Sequence, residues 1–218
     1  MFRLFPGAQV DRPPSIKYAA ALPFAELVLP SAPPRPATLA KWRETMPEAF
    51  QVALVIPKRM VVSTSGPYRP SDELNKGLKW IAAAQKATGA HLVLPSHGLT
   101  TSERDRGHFE RVLETLGKSD ANLVFAPGGL WEVELAAPFC EKNGIVCAYD
   151  PLTDDSPGGD LVYGRVAAIG ARQRFSEGLL EDIVDALADS GGTTAYLAIE
   201  SPRSFREAQN LVRVASGG

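Results

Sequence analysis

Apolar residues along this chain gather into short runs, and the stretches between the runs carry helical spacing. Runs rich in Val, Leu, Ile and aromatic residues occur at Phe2–Phe5, Ala25–Leu29, Gln51–Ile56, His91–Leu94, Asn122–Ala126, Ile145–Tyr149, Leu161–Ala168 and Ala195–Ile199. Several are apolar at successive positions, the pattern of strands covered on both faces, as parallel strands are. Between them, Leu74, Leu78 and Ile81 share one helical face within Ser71–Thr88. Ser71 can cap the first turn, Asp72 and Glu73 complement its dipole, and Gly89 ends it. Phe109, Val112, Leu113 and Leu116 repeat the spacing before Gly117, and Phe175, Leu179, Ile183, Val184 and Leu187 repeat it again. Weaker helical patterns cover Pro14–Ala21, Ala37–Glu44, a segment from Trp131 with a break or restart at Pro138, and Arg203–Ala215.

One connection lacks helical character: PLTDDSPGGD, Pro151–Asp160, holds too much Pro, Gly and Asp and predicts an exposed loop in place of the sixth helix. Strand and helix alternate through residues 1–218 without a linker, which predicts a single α/β domain, and eight strands predict closure into a (β/α)8 TIM-like barrel. A doubly wound open sheet competes, but the first turn, PGAQ, lacks the glycine-rich pattern common in that fold. Proline donates nothing to a ladder, so Pro6, Pro30, Pro57, Pro95, Pro127 and Pro151 are expected to mark a common rim where strands stop pairing. On this reading the repeated LVLPS runs at Leu27–Ser31 and Leu92–Ser96 are the second and fourth staves.

Composition narrows the function classes. A formal charge of −2 offers no global basic field for a polyphosphate backbone, so nucleic acid is not an expected partner. No apolar run approaches a membrane span and the N-terminus lacks a secretory h-region, so the expectation is a soluble, cytoplasmic protein. Cys140 and Cys147 are too few for a disulfide framework and behave as small buried hydrophobes.

Several segments resemble the YecE-like family, domain of unknown function 72 (DUF72). WRETMPEAFQVALVIP, Trp42–Pro57, is similar to that family's third-strand region; Phe24–Ser31 sits where the family has a strand ending in Glu-Ile-Asn-Ser. Trp131 resembles the Trp after its fifth strand, Val162–Arg165 its Val-Tyr-Val-Arg, and Phe175–Leu179 the opening of the helix that follows. The resemblance implies a TIM-like barrel and little about chemistry. It also implies departures: Val28, Pro30, Val55, Phe125, Pro127 and Ala167 stand where the family is polar, and Glu200 and Ser201 replace an Asn pair. In that register most of the family's polar pocket is expected to be apolar.

In such a barrel reactive groups project from the C-terminal strand ends. His97 is the general acid/base candidate, because imidazole titrates near neutral pH, and Asp150 would orient it or simply form the turn before Pro151. Arg165 shares a face with Tyr163 and Ala167 on a buried strand and needs an anionic or carbonyl partner, Asp150 and Glu200 being the structural candidates and an anionic ligand the functional one. Lys58, Glu200 and Ser96 complete the candidate ligand-binding set. His91, His97 and His108 lack metal-ligand spacing, so neither metal nor cofactor is expected. Two readings follow. The favoured one is a degenerate, non-catalytic barrel that binds a protein or small ligand; the other is a hydrolase or lyase acting on a small anionic substrate through His97, Asp150 and Arg165. The first predicts a mouth plugged by Pro and aliphatic side chains, the second a cavity that unites those three residues.

Overall fold

The computed structural model describes residues 2–117, 122–170 and 172–216. Along the chain run β1 (Arg3–Val10), α1 (Ile16–Ala19), β2 (Phe24–Val28), α2 (Pro36–Glu44), β3 (Gln51–Val55) and α3 (Lys58–Val61). A small hairpin of β4 (Val62–Ser63) and β5 (Gly66–Pro67) precedes α4 (Asp72–Thr88), β6 (His91–Pro95), α5 (Glu103–Leu116) and β7 (Leu123–Ala126). The rest is α6 (Val133–Lys142), β8 (Val146–Tyr149), β9 (Leu161–Ala167), α7 (Glu177–Asp189), β10 (Thr194–Glu200) and α8 (Ser204–Ala215). Eight parallel strands close in the order β1-β10-β9-β8-β7-β6-β3-β2, a (β/α)8 barrel. Residues 151–160 connect β8 to β9 without a helix, as their composition predicts. Ser71 caps α4 by accepting from the Leu74 N–H, and Gly89 closes it at φ 66°.

Two local expectations change. Pro6 lies inside β1, opposite Leu197, and ends nothing. Arg3 N–H donates to Thr193 O, so by alternation the Pro6 nitrogen faces β2, which begins only opposite Gly7; no ladder bond is lost there. Pro138 sits within α6 without breaking it. It lies on the exposed side, where water can satisfy the carbonyl left without its N–H. α3 and the β4–β5 hairpin are too short for periodicity to announce.

Alternation along each strand builds two cores. Leu27, Leu54, Leu92 and Phe125 point outward and pack beneath the helices, while Phe24, Val55, Val93, Ala148, Tyr163 and Tyr196 fill the barrel. The interior is graded. At its lower end Tyr196 stacks on Phe5 at 5.0 Å and tilts against His91 at 4.4 Å and Phe24 at 5.2 Å. Towards the C-terminal strand ends the inward residues shrink to Ala126, Ala148, Ala167 and Ala198, and the barrel opens. Gly7 fits β2 against β1: a Cβ there would lie 2.2 Å from the Phe24 carbonyl oxygen.

Candidate functional site

Glu26 occupies an inward position of β2, two residues beyond Phe24, and is fully buried. β1 places Gln9 beside it in register, and β9 projects Tyr163 and Arg165 towards it across the barrel. Gln9 Nε2 donates to Glu26 Oε1 at 2.8 Å, and Tyr163 Oη donates to Oε2 at 2.8 Å. Arg165 grips both oxygens, Nη2 to Oε1 at 2.9 Å and Nε to Oε2 at 3.1 Å. This supplies what a buried ion pair requires, good geometry and extra donors for the remaining lone pairs. Burial, the largest single influence, acts to lower the Arg165 pKa, but the charge and hydrogen bonds of Glu26, with Tyr163 and Glu200 adding to them, together outweigh it and hold the guanidinium above its ordinary value. Burial and the same charge push the Tyr163 phenol well up. Arg165 Nη1 has no partner among the described residues.

Arg165 lines a cavity of about 220 Å³ at the C-terminal mouth, together with Gln9, Asp150, Asp154 and Glu200 and the small residues of the upper layer. A second cavity, of about 590 Å³, shares Gln9, Ala167 and Glu200 and opens outward past Asp11 and Ile169. Asp150 is held in place: Arg172 Nη1 approaches its Oδ2 at 2.6 Å, the Leu152 N–H donates to Oδ1 at 3.0 Å, and its own N–H donates to Asp154 Oδ2 at 2.8 Å. Glu200 is exposed, and its carboxylate accepts no hydrogen bond among the described residues.

The structure thus brings three of the six sequence-selected residues, Asp150, Arg165 and Glu200, to one cavity, and leaves His97, Lys58 and Ser96 outside it. His97 follows β6 in the left-handed region, φ 48°, with its Nε2 3.1 Å from the Ile56 carbonyl oxygen, to which that nitrogen donates. Burial lowers its pKa, with the Lys58 charge adding to the effect against the opposing Ile56 bond. Ser96 Oγ donates to Gly128 O at 2.9 Å, and Lys58 begins α3 in solvent. The expected His97–Asp150 pairing is absent, because β7 separates their strands and Arg172 occupies Asp150. Arg165 finds its partner in Glu26 rather than Asp150 or Glu200. The mouth is mixed in character: Gln9, Asp150, Asp154, Arg165 and Glu200 share its wall with Pro127 and Ala167, apolar as expected, and with further alanine and valine side chains. Val28 and Val55 do face inward, but Phe125 points outward against Trp131 at 5.3 Å, and Glu26 lies one inward position deeper than Val28. Nor is the mouth plugged. Glu26 and Gln9 escaped sequence reasoning; the available signal was a single acid inside the apolar run FAELVL, on the same strand face as Phe24 and Val28. Among the described residues no group of three or more His, Cys, Asp or Glu side chains is placed to hold a metal ion, and no helix is long and apolar enough to cross a membrane.

Fold and cavity define a (β/α)8 barrel with a pocket at its C-terminal mouth, built beside a buried Glu–Arg pair. No family model matches the chain, and no curated protein matches its sequence. Among solved structures it is similar to a DUF72 family protein from Enterococcus faecalis V583, with a TM-score of 0.71 at 14% identity over 100% of this chain and 96% of that one. A DUF72 family protein from Thermotoga maritima MSB8 gives 0.62 at 13% identity over 89% and 84%. D-allulose 3-epimerase from Methylomonas sp. gives 0.63 at 14% identity over 99% and 98%. At these identities the likeness is one of fold. The chain shares the DUF72 barrel over nearly its whole length, as its sequence resemblance implies.

Proposed function

We propose that this chain is a divergent DUF72-like barrel that binds a small polar ligand at its C-terminal mouth and does not turn it over. The observation that carries this reading is how the charged groups around the inner cavity are engaged. Arg165 is fixed by Glu26, Asp150 by Arg172 and Asp154 by the Asp150 N–H, while His97 lies outside. General acid–base catalysis needs a group near the reacting atom that is free to exchange a proton, and among the described charged residues of the cavity wall only the solvent-exposed Glu200 answers that description. At about 220 Å³ the inner cavity falls below the roughly 300–1,000 Å³ of drug-sized sites, which suits a small metabolite. The epimerase neighbour is named for a sugar, and a polyhydroxyl compound fits a cavity rich in acceptors. The hydrolase or lyase reading would require His97 to leave the Ile56 carbonyl and reach a cavity it does not line.

Native mass spectrometry of the purified protein, followed by incubation of any released compound with fresh protein, tests the proposal. The expected result is a small ligand recovered chemically unchanged, whose binding is lost in Ala167→Leu, a substitution that fills the mouth. Conversion of the compound, or binding indifferent to Ala167→Leu, would overturn it.

A further inference from the structure

Resting on the mouth as a binding site, the charges around it say which ligand it takes. Glu26 neutralises Arg165 and Arg172 neutralises Asp150, so among the described residues Asp154 and Glu200 remain as carboxylates of the cavity wall without an ion-pair partner. Asp154 already accepts the Asp150 N–H; Glu200 accepts no hydrogen bond from the described residues. On the neighbouring strand, Arg165 Nη1 donates to no described residue. The two residues line the same cavity, yet no ion pair joins them. Glu200 contributes to raising the Arg165 pKa, so the two charges do feel one another across the gap. An open guanidinium edge and an open carboxylate on adjacent strands, kept apart, are complementary to one chemistry: an oxygen acceptor on one side and a charged donor on the other. An anionic ligand would meet the excess of carboxylates.

We infer that the mouth selects a small ligand with a primary ammonium group next to a hydroxyl or carbonyl oxygen, the ammonium facing Glu200 and Asp154 and the oxygen facing Arg165 Nη1. Amino sugars and amino-acid amides both carry this chemistry.

Calorimetric titration at pH 6.5 with D-glucosamine, D-glucose and D-glucuronate holds shape nearly constant while charge runs from positive to negative. Glucosamine is expected to bind at least about tenfold more tightly than glucose, the increment of a charge-assisted hydrogen bond, with glucuronate weakest. Glu200→Gln, at an exposed position that leaves the fold intact, should erase the advantage of glucosamine over glucose. Serinamide against lactamide repeats the comparison on the amino-acid skeleton. Tighter binding of glucuronate, or a glucosamine preference that survives Glu200→Gln together with Asp154→Asn, overturns the inference. So does failure of all these probes to bind. If a co-purifying compound is still displaced by Ala167→Leu in that case, the mouth remains a binding site and only the ammonium assignment falls; if it is not, both fall.

Discussion

Removing Glu26 or Arg165 separately, and then together, gives the sharpest measure of the pair. Breaking a buried ion pair by deleting one partner costs about 3–5 kcal/mol, because the other charge is left uncompensated. The two halves differ in burial: the Arg165 side chain is 30% exposed through the cavity, whereas Glu26 is at 0%. In Glu26→Gln the guanidinium can be rehydrated from the mouth, so the cost belongs at the lower end, about 3 kcal/mol. In Arg165→Met the carboxylate keeps only the neutral donors Gln9 and Tyr163, and the cost at pH 7 approaches about 5 kcal/mol. The double variant, with neither charge, should lose no more than about 1 kcal/mol, giving a coupling of about 7 kcal/mol. Urea unfolding at pH 7 followed by far-ultraviolet circular dichroism, with m unchanged, reads all of these. Single-variant costs that add to within about 0.5 kcal/mol of the double variant would refute the account.

Two further outcomes follow from the barrel interior. Burial lowers the His91 pKa from 6.5 to about 4, so the unfolded chain takes up a proton that the folded one refuses; stability is full above pH 6.5 and declines as pH falls towards 4, by on the order of 3 kcal/mol. His91→Leu should flatten that part of the profile, and parallel urea midpoints for parent and variant between pH 7.5 and 4.5 would remove His91 from the account. Gly7→Ala should cost at least about 2 kcal/mol, because its Cβ meets the Phe24 carbonyl oxygen at 2.2 Å, whereas Gly178→Ala, with open space in α7, should be neutral or stabilising by up to about 1 kcal/mol. Thermal melts that rank the two the other way would contradict the close approach of β1 and β2.

How much of this could be read from the sequence depends on whether a feature is local. Each apolar run became a barrel strand, because a stave buried on both faces needs several apolar positions in succession. The missing sixth helix was legible because Pro, Gly and Asp reject helix whatever surrounds them. Leu27–Ser31 and Leu92–Ser96 do span the ends of the second and fourth barrel strands, and their leucines pack outward, as strand alternation demands. Pro6 was misleading because whether a missing N–H matters depends on which neighbour it faces. The inward parity of Arg165 was also local and legible. Its partner was not, since Glu26 lies 139 residues away and reaches Arg165 only through the stagger of a closed barrel. His97 and Asp150 show the same limit. Both end strands at the same rim, but strand order alone decides that β7 stands between them.

The same closure explains why the mouth has an open edge at all. The aromatic rings below Glu26 leave its carboxylate no route to water, so it must be satisfied from the side, and Arg165 can do this only by turning Nε and Nη2 inward. That orientation leaves Nη1 as the one nitrogen of the guanidinium without a partner among the described residues, locked at its other edge. A guanidinium without this anchor would swing to Glu200, its neighbour on β10, and the two charges would cancel on the rim. Glu26 therefore does more than balance a charge. By holding Arg165 back it keeps the guanidinium and Glu200 from pairing with each other across an alanine-lined gap, the geometry that the proposed ligand would meet already set.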